Sequence, residues 1–161
     1  MESRRNSGFS LVELIIVIAI MAILIAILAP QYLKYVDKAR YSKDIQTVEA
    51  VYSAISTTFA NPEFGEHIDS DVAIIFHTEP ISGSNSYLEV TSPIDPDARA
   101  TVNHVLAMND FTEGVRLGCK HYSPKANIPT TTPDGLIDGT RPAIIIHADG
   151  TVVEYIPDYH R

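Results

Sequence analysis

Gly8-Phe9-Ser10-Leu11-Val12-Glu13, continued by Leu14 to Ala29 without one polar side chain, sets the architecture of this chain. Phe9 to Ala29 makes 21 residues, of which only Ser10 and Glu13 are not apolar. As a helix rising about 1.5 Å per residue, the run measures roughly 31 Å. That matches the ~30 Å hydrocarbon core of a bilayer, so residues 9–30 read as a membrane-spanning segment. Glu13 is the exception. A carboxylate in such a segment costs about 2.5–3.5 kcal/mol at mid-membrane and less toward the interface, where Glu13 falls. It calls for a partner.

Two local readings stand beside this one. Ser10-x-x-Glu13 ahead of an apolar run is a capping-box pattern, in which both side chains accept orphan backbone N–H groups. Glu13 would then only start an ordinary signal-anchor helix. A cleaved secretory signal would carry an apolar region of about 7–15 residues and an A-x-A-like exit. The run here is longer, and Ala19, Ala22, Ala26 and Ala29 stand three or four apart.

The residue string carries more than the spacing. A short polar leader with Arg4 and Arg5, then Gly8, then Phe9-Ser10-Leu11-Val12-Glu13-Leu14 closely resembles the prepilin signal of type IV pilins and of the pseudopilins of type II secretion. The resemblance covers residues 1 to about 30 strongly and extends loosely to about residue 60. It implies cleavage after Gly8 by an aspartyl membrane peptidase, which also N-methylates the new terminus at Phe9. A small residue at position 8 lets extended backbone enter a tight active site. The new α-amino group is mostly protonated near neutral pH, because such groups titrate at about 7.7–8.0.

That amine is the partner Glu13 lacks. Opposite unit charges about 4 Å apart at an effective dielectric of about 20 attract by roughly 4 kcal/mol before desolvation, enough to offset the insertion penalty. In the family the glutamate of one subunit meets the terminal amine of a neighbour as the filament grows. The resemblance thus implies a helical homopolymer built through the N-terminal helix. It also implies service by a peptidase/methyltransferase and an inner-membrane assembly platform, with lipid around the helix before assembly. The expected location is the cytoplasmic membrane, single-pass, and afterwards an extracellular or periplasmic filament.

Charge and cysteine content bound the rest. The 161 residues carry a formal net charge of −8. Residues 61–161 hold fifteen acidic and six basic side chains, which argues against direct binding to nucleic acid or anionic lipid. Cys119 is the single cysteine, so the chain departs from the many Gram-negative pilins that close their C-terminal loop with a disulfide. It reads as a small core residue. Orientation by charge alone conflicts with the motif. Arg4 and Arg5 precede the span, but Lys34, Lys38, Arg40 and Lys43 follow it, which by count would put the C-terminal part inside. The resemblance, with cleavage on the cytoplasmic side, decides for the opposite orientation.

Beyond the span, Pro30 either opens a second helix or interrupts one continuous helix. Tyr41, Ile45, Val48, Tyr52, Ile55 and Phe59 recur at spacings of four and three, one apolar helical face. Lys43, Asp44, Gln46, Glu49 and Ser53 take the opposite side. This face is expected to pack on a sheet, making 31–60 the amphipathic half of a helix from 9 to 59. The four alanines of the span share a stripe that permits close helix approach.

Residues 61–161 read as a globular α+β head. Asn61-Pro62 stops the helix. Val72 to Phe76 is strand or short helix, Ile81 to Ser86 turn-rich, and Gly114 to Tyr122 a strand. Ala98, Val102, Val105 and Leu106 predict a helix over 95–108, with Asp95 or Asp97 as its cap. Ala143 to His147, Asp149-Gly150 and Thr151 to Ile156 predict a hairpin. The fold class is therefore α+β, a long N-terminal helix packed on a small antiparallel sheet, as the pilin resemblance also implies.

No catalytic motif is present: there is no G-x-S-x-G, Walker loop or paired-cysteine motif, and the six histidines show no ligand spacing. Major pseudopilins bind calcium in a C-terminal loop, which makes Asp134, Asp138 and Asp149 the calcium candidates here. Calcium wants six to eight oxygens, whereas Asp-Gly pairs also simply make turns. No other cofactor is expected. The reading is a structural subunit of a type IV pilus. The alternatives are a type II secretion pseudopilin, a membrane-anchored extracytoplasmic binding domain that never polymerises, and an anchored hydrolase for which no motif speaks.

Overall fold

A computed structural model describes residues 10–61, 68–81, 86–92, 95–111, 115–119, 122–123, 137 and 139–159. The chain divides into two units, Met1–Asp37 and Lys38–Arg161. One element runs through both: helix α1, Leu11–Phe59, with Pro30 inside it. Of the two readings of Pro30, the continuous helix is the one observed. Its missing N–H removes the intrahelical bond that the Ala26 carbonyl would otherwise accept.

In the first unit, every described side chain from Ser10 to Tyr35 is exposed. This is a fully helical segment with no core of its own. Leu14, Ile18, Met21, Ile25 and Leu28 are each more than half exposed.

The second unit has a core. Strands β1 (Val72–Phe76), β2 (Leu88–Thr91), β4 (Ala143–Ile146) and β5 (Val152–Tyr155) form an antiparallel sheet in the order β2-β1-β4-β5. The uninterrupted apolar runs of β1 and β4 follow from their place. Both are central strands, and Val72↔Ile146 and Ile74↔Ile144 are paired. Val72, Ile74, Phe76, Ile144 and Ile146 point into the main core, while Ala73, Ala143 and Ile145 enter a second cluster with Ile137. Alternation by two thus places both sets inside. Val72 to Phe76, open between helix and strand on pattern alone, is a strand.

The main core is closed by Val48, Val51, Ile55 and Phe59 of α1 and by helix α2, Pro96–Met108. Asp95 caps α2, its Oδ1 accepting the N–H groups of Asp97 and Ala98 at 2.8 and 3.2 Å. Ala98, Val102, Val105 and Leu106 are buried, as their spacing predicts. Strands β4 and β5 form the predicted hairpin. Gly150 donates to the His147 carbonyl and has φ +82°, the left-handed residue of a three-residue loop.

Two expectations are corrected. The buried stripe of α1 is Asp44, Val48, Val51, Ile55 and Phe59, whereas Tyr41, Ile45 and Tyr52 lie half-buried at its edge. Spacings of four, three, four and four also make a helical stripe; the polar character of Asp44 placed it wrongly on the outer side. Residues 115–119 are not a strand. Val115, Leu117 and Cys119 are buried and Arg116 and Gly118 exposed, so the alternation is real, but the N–H groups of Gly118 and Cys119 bond to a side chain of α1 instead of a neighbouring strand. Among the described residues there, only Tyr122–Ser123 forms a strand, β3, paired with β6 (Asp158–Tyr159) in a separate two-stranded sheet.

Candidate functional site

Glu13 stands in the first turn of α1, where a carboxylate is favoured by the helix dipole. Its Oε2 accepts the Ser10 backbone N–H at 2.8 Å, and Leu14 N–H reaches the Ser10 carbonyl at 3.3 Å. The Glu13 half of the capping box foreseen from Ser10-x-x-Glu13 is therefore formed within a single chain. It does not exhaust the group. An ionised carboxylate offers about four lone-pair sites, so one bond to Ser10 leaves capacity for a further donor. Beyond Ser10, the helix surface on either side of it among the described residues is apolar and exposed, with Leu11, Val12, Leu14 and Val17. Gly8 and Phe9 lie outside the described residues.

Of the calcium candidates, Asp134 and Asp138 lie outside the described residues. Asp149 sits in the hairpin loop, and its Oδ1 accepts the Thr151 N–H at 2.8 Å. Hydrogen bonding to Thr151 holds its carboxyl below the ordinary aspartate range. That is turn chemistry. Beside it, Asp71 accepts from His147 Nδ1 at 2.8 Å and from Ala148 N–H at 3.0 Å, which ties the hairpin loop to the start of β1. Among the described residues, no group of three or more His, Cys, Asp or Glu side chains is placed to hold a metal ion.

The polar centre that sequence reasoning missed is Asp44, 2% exposed. Gly118 N–H donates to Oδ1 at 2.9 Å and Oδ2 at 3.0 Å, Cys119 N–H to Oδ2 at 2.7 Å, and the Tyr122 hydroxyl to Oδ2 at 2.7 Å. A buried carboxylate is tolerable only when donors replace its water, and three are aimed at this one. Burial first, then the bond to Asp44, pushes the Tyr122 phenol far above the ordinary tyrosine range. One turn earlier on α1, Tyr41 donates to the Pro157 carbonyl at 2.9 Å, and its ring lies 5.9 Å from Tyr122 and 5.5 Å from Tyr159. The available signal was an acid interrupting the 44/48/51/55/59 stripe.

At the other end of β1, His77 Nε2 lies 2.8 Å from Glu89, and Arg141 lies 3.1 Å from His77 Nδ1. His77 and Arg141 line an open cavity of about 330 Å³ together with Phe76, Thr78, Glu79, Tyr122 and Thr140. It gathers none of the predicted site residues.

Comparison with known proteins bears on the N-terminal segment most directly. The family model described as the prokaryotic N-terminal methylation motif matches residues 3–29, which contain Gly8, Phe9 and Glu13. A type IV major pilin of Neisseria gonorrhoeae is 30% identical over 112 residues, 70% of this chain and 61% of that protein. The methylation motif and these likenesses together support a member of the type IV pilin and prepilin family. A prepilin peptidase-dependent protein of Clostridium perfringens is 29% identical over 65% of this chain and 71% of its own length. The type IV major pilin of Myxococcus xanthus is 37% identical over 59 residues, 37% of this chain and 27% of that pilin. The match thus spans about a quarter of one of these relatives and under three quarters of the others. No solved structure matches the chain. Among the described residues, one helix is long and apolar enough to cross a membrane.

Proposed function

We propose that the chain is the structural subunit of a type IV pilus. It is made as a prepilin, cut after Gly8 and N-methylated at Phe9, and held in the cytoplasmic membrane by residues 9–30 until those helices pack together. The observation that carries this reading is the coexistence of the methylation motif with a helix whose apolar side chains are exposed along its whole first half. At about 25 cal/mol per Å², such a surface is stable in lipid or against copies of itself and not in water. Glu13 gives the contact its register. Its free acceptor sites take the Phe9 amine of another copy, and an uncleaved chain has no amine there, so processing switches assembly on. The relatives support a pilus over a secretion pseudopilin, since those named are two type IV major pilins and a prepilin peptidase-dependent protein.

Mass spectrometry of the N-terminus of the native protein tests this. The expected species begins at N-methylated Phe9. An intact leader on the membrane-extracted protein would refute processing, and with it the switch.

A further inference from the structure

Residues 115–119 and the β3–β6 ladder are fastened to the second unit differently from the four-stranded sheet. The sheet is continuous through β1 and β4, buried on both faces. The ladder is a separate pair of two-residue strands. Among the described residues, its polar fastening to α1 includes two side chains three positions apart: Asp44, which holds Gly118, Cys119 and Tyr122, and Tyr41, which holds Pro157 and lies beside Tyr159. We propose that Tyr41 and Asp44 form a noncovalent latch through which residues 115–119 and the β3–β6 ladder open and close together while the four-stranded sheet stays folded.

The physical case rests on where the free energy lies. Segments with few ladder bonds open at lower cost than the sheet they flank, and two-residue strands supply very few. Closure therefore depends on the side-chain bonds. Those to a carboxylate are roughly twice as strong as neutral ones, and all of these converge on one group, so losing one weakens the whole fastening. Val115 and Leu117, buried at 6% and 2%, add apolar closure and leave the core when the segment opens. A cystine cannot take over, because Cys119 is the chain's single cysteine. Cys119 is itself the reporter: it is 1% exposed, and its own N–H is one of the bonds to Asp44. Its thiol meets solvent when the latch opens.

The test uses the full chain in detergent micelles. Reaction of Cys119 with N-ethylmaleimide is followed beside hydrogen exchange of the β1 and β4 amides, in the native chain and in Tyr122→Phe and Tyr41→Phe. Tyr122→Phe is expected to speed the thiol reaction by about tenfold to a hundredfold, the range for losing a hydrogen bond to a charged group, and Tyr41→Phe by several-fold. The sheet amides should not move. Acceleration in either variant with the sheet unchanged supports the latch. It is overturned if neither variant accelerates the thiol, or if the sheet amides accelerate in step with it.

Discussion

A carboxylate facing a protein core must have its lost water replaced donor by donor, and Asp44 shows how much depends on that. Asp44→Ala leaves the Gly118 and Cys119 N–H groups and the Tyr122 hydroxyl without their acceptor. The expected loss is about 3 kcal/mol or more in chemical denaturation, at about 1–3 kcal/mol per stranded donor; a loss under about 1 kcal/mol would contradict the assignment. Gly118, by contrast, is not there for want of space. A Cβ added to it would meet Arg40 Cγ no closer than 3.6 Å, so Gly118→Ala should stay within about 0.5 kcal/mol of the native chain. Glu154 is the opposite case to Asp44. Its Oε2 is buried with no hydrogen-bond partner among the described residues, and burial, then the charge of Glu49, pushes its carboxyl above the ordinary glutamate range. A folded-state value raised above the unfolded one means that this group's contribution is fully present at acid pH. It is lost as pH rises through the raised value. Glu154→Gln should therefore raise the melting temperature at pH 7 and lose that advantage near pH 4. Equal melting temperatures at pH 7 would show that the carboxylate is well solvated.

Among the elements, the β4–β5 hairpin and α2 were legible because their signals are local. Asp149-Gly150 between β-branched runs and Asp95-Pro96 ahead of a helical stripe need no distant partner to act. Gly150 has φ +82° and open space around it, so strain alone should set the effect of Gly150→Ala, about 1–2 kcal/mol of lost stability. A neutral result would mean that the loop relaxes to another turn. The segment 115–119 was misread for the converse reason. Its alternation of buried and exposed residues is strand-like, but its backbone partner is a side chain more than seventy positions away in sequence. Periodicity records which way a residue faces and not what its N–H meets. The face of α1 turned for the same cause, because Asp44 is buried only by virtue of those distant donors. Gly8, Phe9 and Glu13 were legible as a motif. The Ser10–Glu13 bond was legible as a cap, since both act within one turn of helix.

Taken whole, the molecule joins a unit with a complete core to a helical segment that has none. The second unit buries its apolar side chains on both faces of a four-stranded sheet, whereas the first exposes nearly all of them. An isolated chain cannot resolve that contrast in water. In the proposed reading, lipid resolves it before assembly and other copies of the same helix afterwards, with Glu13 as the polar group that distinguishes one packing register from the next. The direct test is to replace Glu13 with Gln, which keeps shape and the ability to cap Ser10 but removes the charge, and to count surface filaments by electron microscopy. Export and cleavage of the variant are confirmed in the same cells. The account predicts processed, membrane-held Glu13→Gln subunits with filaments reduced at least tenfold; filaments as abundant and regular as those of the native chain would contradict it.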